Sequence, residues 1–240
     1  MQENVTNQIC VNESVPNKNA GHKLRSDRGP RWTKRDRSFW TITGEQFAMR
    51  IDQAQRYLGS LSHAQLKKPG LISDSTARHL IDRYVEEGLM ICKKIDFDQP
   101  KFCWLTRAGY REARLPFGFV KPSDLEHIYW NVQVRLWCAA NYPSYVWRSE
   151  RWLAREHGAY PTKMPDALLM MPDGTAICVE VERTLKNELK LFEHLQARTM
   201  VYDQVWYFSP AGIARAVAAA QQQLDRVYAE RVTIINLASI

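Results

Sequence analysis

Three carboxylates, Asp166, Glu180 and Glu182, are the residues of this chain best spaced to do chemistry together. They lie in PDALLMMPDGTAICVEVERTLK, residues 165–186. The stretch reads as two apolar strands, residues 166–171 and 175–182, around Pro172-Asp173-Gly174. Proline presets φ, Asp bonds locally and Gly accepts a left-handed backbone, so this is a turn with a mechanism. A three-residue hairpin pairs Met171 with Thr175 and, counted outward, sets Asp166 opposite Glu180. Glu182 then shares their face of the sheet. Opposed side chains have Cβ atoms about 4.5–5.5 Å apart, where like charges repel. Three acids on one face therefore call for a cation, either Lys or Arg or a hard divalent ion such as Mg²⁺. The plain alternative is a half-buried strand, with Ile177, Val179 and Val181 inward and the acids solvated.

The elements that position this hairpin come from a chain of 240 residues, enough for one large domain or two small ones. With 45% hydrophobic residues and 8 Trp, 10 Tyr and 8 Phe, it can build real cores. A formal charge of +7 points toward a polyanionic partner. No apolar run approaches the roughly 20 residues of a membrane span, and the N-terminus lacks a signal-peptide layout. The five cysteines are scattered without zinc-ligand spacing, which fits a reducing cytoplasm.

In chain order, residues 1–38 read as a disordered basic arm carrying Arg31, Lys34, Arg35 and Arg37. Thr43, with Gln46 as its capping-box partner, predicts a first helix carrying Phe47, Ile51, Ala54, Tyr57 and Leu58. A short second helix is expected at residues 62–66. A third is expected at 73–87, ended by Gly88, with Ala77, Leu80, Ile81, Tyr84 and Val85 buried and Ser75, Thr76, Arg78, His79 and Arg83 outward. Two strands, 89–95 and 101–105, follow. After a linker at 116–122, Ser123 with Glu126 predicts the cap of a further helix bearing Leu125, Ile128, Tyr129, Val132, Leu136 and Trp137. A strand at 145–149, a charged segment at 150–156, the hairpin, a helix at 185–200, a strand at 205–208, a helix at 211–229 and a strand at 232–237 complete the chain. The tryptophans Trp130, Trp137 and Trp206 sit on apolar faces and read as core.

The order of three helices and a hairpin, with Leu105-Thr106-Arg107-Ala108-Gly109 after it, resembles a winged helix-turn-helix domain over residues 39–115. The resemblance implies double-stranded DNA as partner. Ser75, Thr76, Arg78, His79 and Arg83 of the third helix would face bases or phosphates, and Lys93, Lys94 and Lys101 would form a basic wing. The alternative is a winged helix used for protein contacts alone.

Residues 123–240 resemble the PD-(D/E)xK nuclease core. That implies Mg²⁺ (or Mn²⁺) held by Asp166, Glu180, the Val181 carbonyl and Glu126, and metal-assisted phosphodiester hydrolysis. The family's Lys position holds Glu182 here, and Lys186 is the residue placed to return a cation, so Asp166, Glu180, Glu182 and Lys186 form the implied catalytic set. Arg183 and Thr184 would orient the site or cap the next helix, and His127 would act as a ligand or base unless it is simply packed. The whole arrangement resembles the replication-relaxation family of plasmids and mobile elements, through the winged helix, His127-x-x-x-Asn131, Pro165-Asp166-Ala167 and Glu180-Val181-Glu182-Arg183-Thr184. The expected fold is mixed α/β (α+β), a winged helix-turn-helix followed by a restriction-endonuclease-like domain with a mixed sheet. The expected function is DNA binding in replication, transfer or transposition, with other proteins of those processes or a second copy of the chain as partners, and with endonuclease activity. The alternative is a non-enzymatic regulator whose second domain serves dimerisation or docking.

Overall fold

The first helix, α1 (Lys34–Glu45), begins inside the stretch expected to be an unstructured arm. Thr33 is its N-cap. The Thr33 hydroxyl accepts the Asp36 N–H at 3.2 Å, and the Asp36 carboxylate accepts the Thr33 N–H at 2.7 Å. This reciprocal cap satisfies two donors that a helix start otherwise leaves open. The basic run around it masks the signal. The computed structural model describes residues 31–61, 71–142, 144–157 and 164–240. The arm before residue 31 and the expected helix at 62–66 lie outside the described residues.

Thr43 caps nothing; it is buried within α1. The chain reverses at Phe47, whose φ of 67° is left-handed, and forms the short strand β1 (Met49–Arg50). Helix α2 (Ile51–Ser60) starts there, with the Gln53 side chain accepting the Arg50 N–H at 3.1 Å. Ile51, Ala54 and Leu58 are buried as their spacing requires, while Phe47 lies before the helix. Helix α3 (Asp74–Glu86) follows the expected pattern: Ser73 caps it, Ala77, Leu80, Ile81 and Tyr84 are buried, and Gly88 takes φ 71° after its end. Val85 departs from it and is exposed.

Strands β2 (Met90–Lys93) and β3 (Phe102–Leu105) pair antiparallel, and β1 joins them in the order β1-β3-β2. A two-residue strand leaves no alternation for a sequence reading to detect. Helix α4 (Arg107–Glu112), capped by Thr106, was not expected. Gly109 in its first turns is required by space, because a Cβ there would lie 2.1 Å from the Leu89 carbonyl oxygen.

Helix α5 (Leu125–Asn141) starts two residues later than predicted. Ser123 sits in a 3₁₀ turn and donates to the Asp124 carboxylate at 2.9 Å, so it does not cap the helix. Strand β4 (Val146–Ser149) leads into α6 (Glu150–His157), a helix where only a charged segment was expected. The hairpin β5 (Ala167–Met170) and β6 (Ala176–Val181) follows. Its register pairs Ala167 with Val179 and Met170 with Ala176, which continues to Met171 with Thr175 and Asp166 with Glu180. In the turn, Gly174 takes φ 90° and the Asp173 carboxylate accepts the Thr175 N–H at 2.9 Å.

Helix α7 (Glu188–Val201) begins three residues beyond the predicted start and is capped by Asn187, whose side chain accepts the Leu189 N–H. Strand β7 (Gln204–Ser209), α8 (Ala211–Gln222), α9 (Arg226–Ala229) and β8 (Val232–Asn236) complete the fold, the last long helix being broken in two.

The large sheet runs β4-β5-β6-β7-β8, antiparallel up to β6 and parallel beyond it, so the architecture is mixed α/β with a mixed sheet. Both faces are covered. Val134 and Cys138 of α5 pack with Val179, Val181, Trp206 and Phe208 on one face. Leu191 and Leu195 of α7 and Val217 of α8 pack with Cys178 and Tyr207 on the other. Trp130 and Trp137 belong to the first core, as their spacing predicted.

Thr33–Ile240 form one compact unit. The Gln53 amide donates to the Tyr129 carbonyl at 2.8 Å, Arg135 meets Glu45 at 2.7 Å, and Arg151 donates to the Gly44 carbonyl at 2.7 Å and to that of Pro116. No helix among the described residues is long and apolar enough to cross a membrane.

Candidate functional site

Asp166 stands one residue before β5, level with the end of β6. Its Oδ2 accepts the Val181 N–H at 2.7 Å, and its Oδ1 lies 3.1 Å from His127 Nε2 on α5. Asn131, one helical turn on, places its amide nitrogen 2.9 Å from the same His127 nitrogen. His127 is therefore not a simply packed residue: it faces the carboxylate and is half-exposed.

Glu180, paired with Asp166 in the hairpin register, is held from α7 rather than from α5. Its Oε1 accepts from Arg198 Nε at 2.7 Å, with side chains only 7% and 4% exposed. His194, one turn before Arg198 on α7, has Nε2 at 3.8 Å from that oxygen and Nδ1 at 3.1 Å from the Tyr207 hydroxyl. Burial lowers and Glu180 raises the Arg198 pKa, and the balance lies above its ordinary value. Glu182 accepts from the Thr184 N–H and hydroxyl at 3.3 and 3.0 Å and pairs with Lys186. Lys186 precedes α7 and does reach back to the site.

All three acids act on Tyr207. Burial first, then the charges of Glu180, Glu182 and Asp166, drive its phenol far above the ordinary value. Burial and Glu180 likewise push the Cys178 thiol up. Two of the acids meet a cation within the chain, Glu180 at Arg198 and Glu182 at Lys186, while Asp166 lies beside His127. The half-buried strand alternative does not hold, because β6 is central and Glu180 and Glu182 are 3% and 7% exposed.

As the side chains stand, the implied metal ligands are engaged within the chain. A guanidinium occupies Glu180, a backbone N–H occupies one oxygen of Asp166, and Glu126 on exposed α5 surface pairs with Arg183. Among the described residues no group of three or more His, Cys, Asp or Glu is placed to hold a metal. Arg183 thus ties the end of β6 to α5.

On the first half, Ser75, Thr76, Arg78 and His79 are exposed along the N-terminal part of α3, with Arg78 held 2.6 Å from Asp74. Lys93, Lys94 and Lys101 are exposed around the β2–β3 turn. Arg83 places a guanidinium nitrogen 3.1 Å from Asp36 while its side chain stays 40% exposed.

Arg198, His194 and Tyr207 were missed by the sequence reading. A signal existed: Arg198 falls in the stripe Leu191, Leu195, Thr199 that faces the sheet, and a charge within such a stripe has to be paired. No family model, no curated protein and no solved structure matches the chain.

Proposed function

We propose that this chain is a DNA-binding protein of the replication-relaxation kind, pairing a winged helix-turn-helix with a nuclease-like second half that works by binding rather than cleavage. One observation carries the DNA reading. The N-terminal part of α3 presents Ser75, Thr76, Arg78 and His79 to solvent, beside a turn bearing Lys93, Lys94 and Lys101. A helix with exposed donors at its N-terminal turns suits the major groove, and flanking lysines suit phosphates. The mixed sheet with α5 before β4 and α7 between β6 and β7 supports the nuclease-like half. The Glu180–Arg198 pair favours a site without cleavage.

A second reading, an endonuclease dependent on Mg²⁺ or Mn²⁺, is favoured by the gathering of Asp166, Glu180 and Glu182 around Tyr207. A mobility-shift titration at two salt concentrations tests the first reading. Wild type should bind with strong salt dependence, and Arg78→Ala with His79→Ala should lose at least tenfold in affinity. An unchanged affinity in the double variant would remove the DNA-facing assignment of α3. Supercoiled plasmid incubated with Mg²⁺, Mn²⁺ or EDTA separates the two readings. Nicking that needs metal and disappears in Asp166→Ala establishes the enzyme; binding without nicking leaves the regulator.

A further inference from the structure

Three features that cost stability meet at one cleft between the end of α1, α5 and the start of α6. Phe47 holds a left-handed φ of 67°, a conformation that strains a bulky side chain. Gln46, 6% exposed, and Asn131, 8% exposed, each have a buried amide atom, Nε2 and Oδ1, without a hydrogen-bond partner among the described residues. All three residues line the cleft, whose volume is about 280 Å³. Native interiors rarely leave buried amides open, and strained backbone gathers where a site needs it.

The remaining walls narrow the ligand. Phe47 and Phe119 supply apolar ring surface, Phe119 being 68% exposed at the mouth. Asp166 and Glu150 supply carboxylates, while Arg151 is taken up by the Gly44 and Pro116 carbonyls. The volume falls just under the about 300–1,000 Å³ of drug-sized sites, so the occupant is small, on the scale of one ring system. Four carboxylates line the cleft, Glu45, Asp124, Glu150 and Asp166, against Lys121 and the engaged Arg151, and this excess favours a neutral ring that donates over a phosphate. Asn and Gln amides satisfy a planar edge with one donor and one acceptor, and a carboxylate accepts from an exocyclic amine. Either orientation of the Asn131 amide keeps this match, since one of its ends stays open beside His127.

We propose that the cleft binds a nucleobase bearing an exocyclic amine (adenine, cytosine or guanine), stacked on Phe119, with a short rotation of Gln46 and Asn131 bringing their amides onto its edge. The base comes from a free nucleotide or from an unpaired nucleotide of a strand, and only the second source rests on the nucleic-acid reading above.

Calorimetric titration of the full chain with adenosine, cytidine, guanosine and thymidine monophosphates is the test, repeated with single-stranded homopolymers of the same bases. At least one amino-bearing base should bind ten or more times tighter than thymidine in the same format. Binding confined to the homopolymers assigns the strand as the source; binding of the mononucleotide assigns the free form. Gln46→Leu and Asn131→Leu should each weaken binding at least tenfold, and Gln46→Leu should melt at or above wild type, because an open amide nitrogen has been removed. Phe119→Ala, a change at an exposed position, should weaken binding without altering melting and serves if a leucine variant fails to fold. Equal binding of thymidine, wild-type affinity in the folded variants, or no binding in either format would each overturn the proposal. A salt-sensitive duplex shift alongside such a failure leaves the DNA-binding reading standing.

Discussion

A guanidinium–carboxylate pair as deeply buried as Arg198 and Glu180 stabilises mainly by not being broken. Two charges taken from water regain little net energy, but removing one partner strands the other and costs about 3–5 kcal/mol. Arg198→Met should therefore destabilise the chain by about that amount, read from urea unfolding. Adding Glu180→Gln should restore a large part of it, since the stranded charge is gone. A double variant no more stable than Arg198→Met would mean the arginine works through packing alone. At this scale the sequence was half legible. The hairpin arithmetic gave the Asp166–Glu180 register, because turn chemistry fixes the count and the side-chain period is two. It did not give the partners, which come from α5 and α7 and depend on which face each helix covers.

Helices were legible where one local rule sufficed and illegible where charge hid the rule. Helix α3 has a serine cap, a buried stripe and a glycine after its end, all within one stretch. Helix α1 was missed because its cap sits among Lys34, Arg35 and Arg37. What fixes α1 is Asp36, fully buried, which accepts from Tyr84 at 2.6 Å and Arg83 at 3.1 Å on α3 as well as from Thr33. Burial raises the Asp36 pKa, but the bonds from Tyr84 and Thr33 and the charge of Arg83 outweigh it and hold it below 3.8. The folded state thus binds this proton less readily than the unfolded chain. Its contribution is complete above the unfolded value and fades as pH falls from 3.8 through the lower folded one. Asp36→Asn should cost about 1–3 kcal/mol at neutral pH. Its deficit in melting temperature against wild type should shrink on acidification through that window; a constant deficit would sink the titration argument.

Pro116, Gly118 and Pro122, where no periodic pattern survives, predict a linker between two domains, yet Thr33–Ile240 form one compact unit. The closeness of the segments on either side of residues 116–122 was not readable, because it rests on long polar side chains whose reach has no sequence signature. Gln53 on Tyr129, Arg135 on Glu45, and Arg151 on both Gly44 and Pro116 span the boundary. The Arg50 guanidinium also lies 4.0 Å from the Tyr129 ring centroid. These contacts make the covalent connection partly redundant. A protease site introduced after the exposed Phe119 and cut once should yield two fragments that co-elute in gel filtration and separate only in denaturant. Fragments that separate in buffer would show that the polar ties do not hold the halves without the peptide bond. Arg151, through the two carbonyls it grips, should thus let the two fragments complement each other as separate chains, each the folding partner of the other.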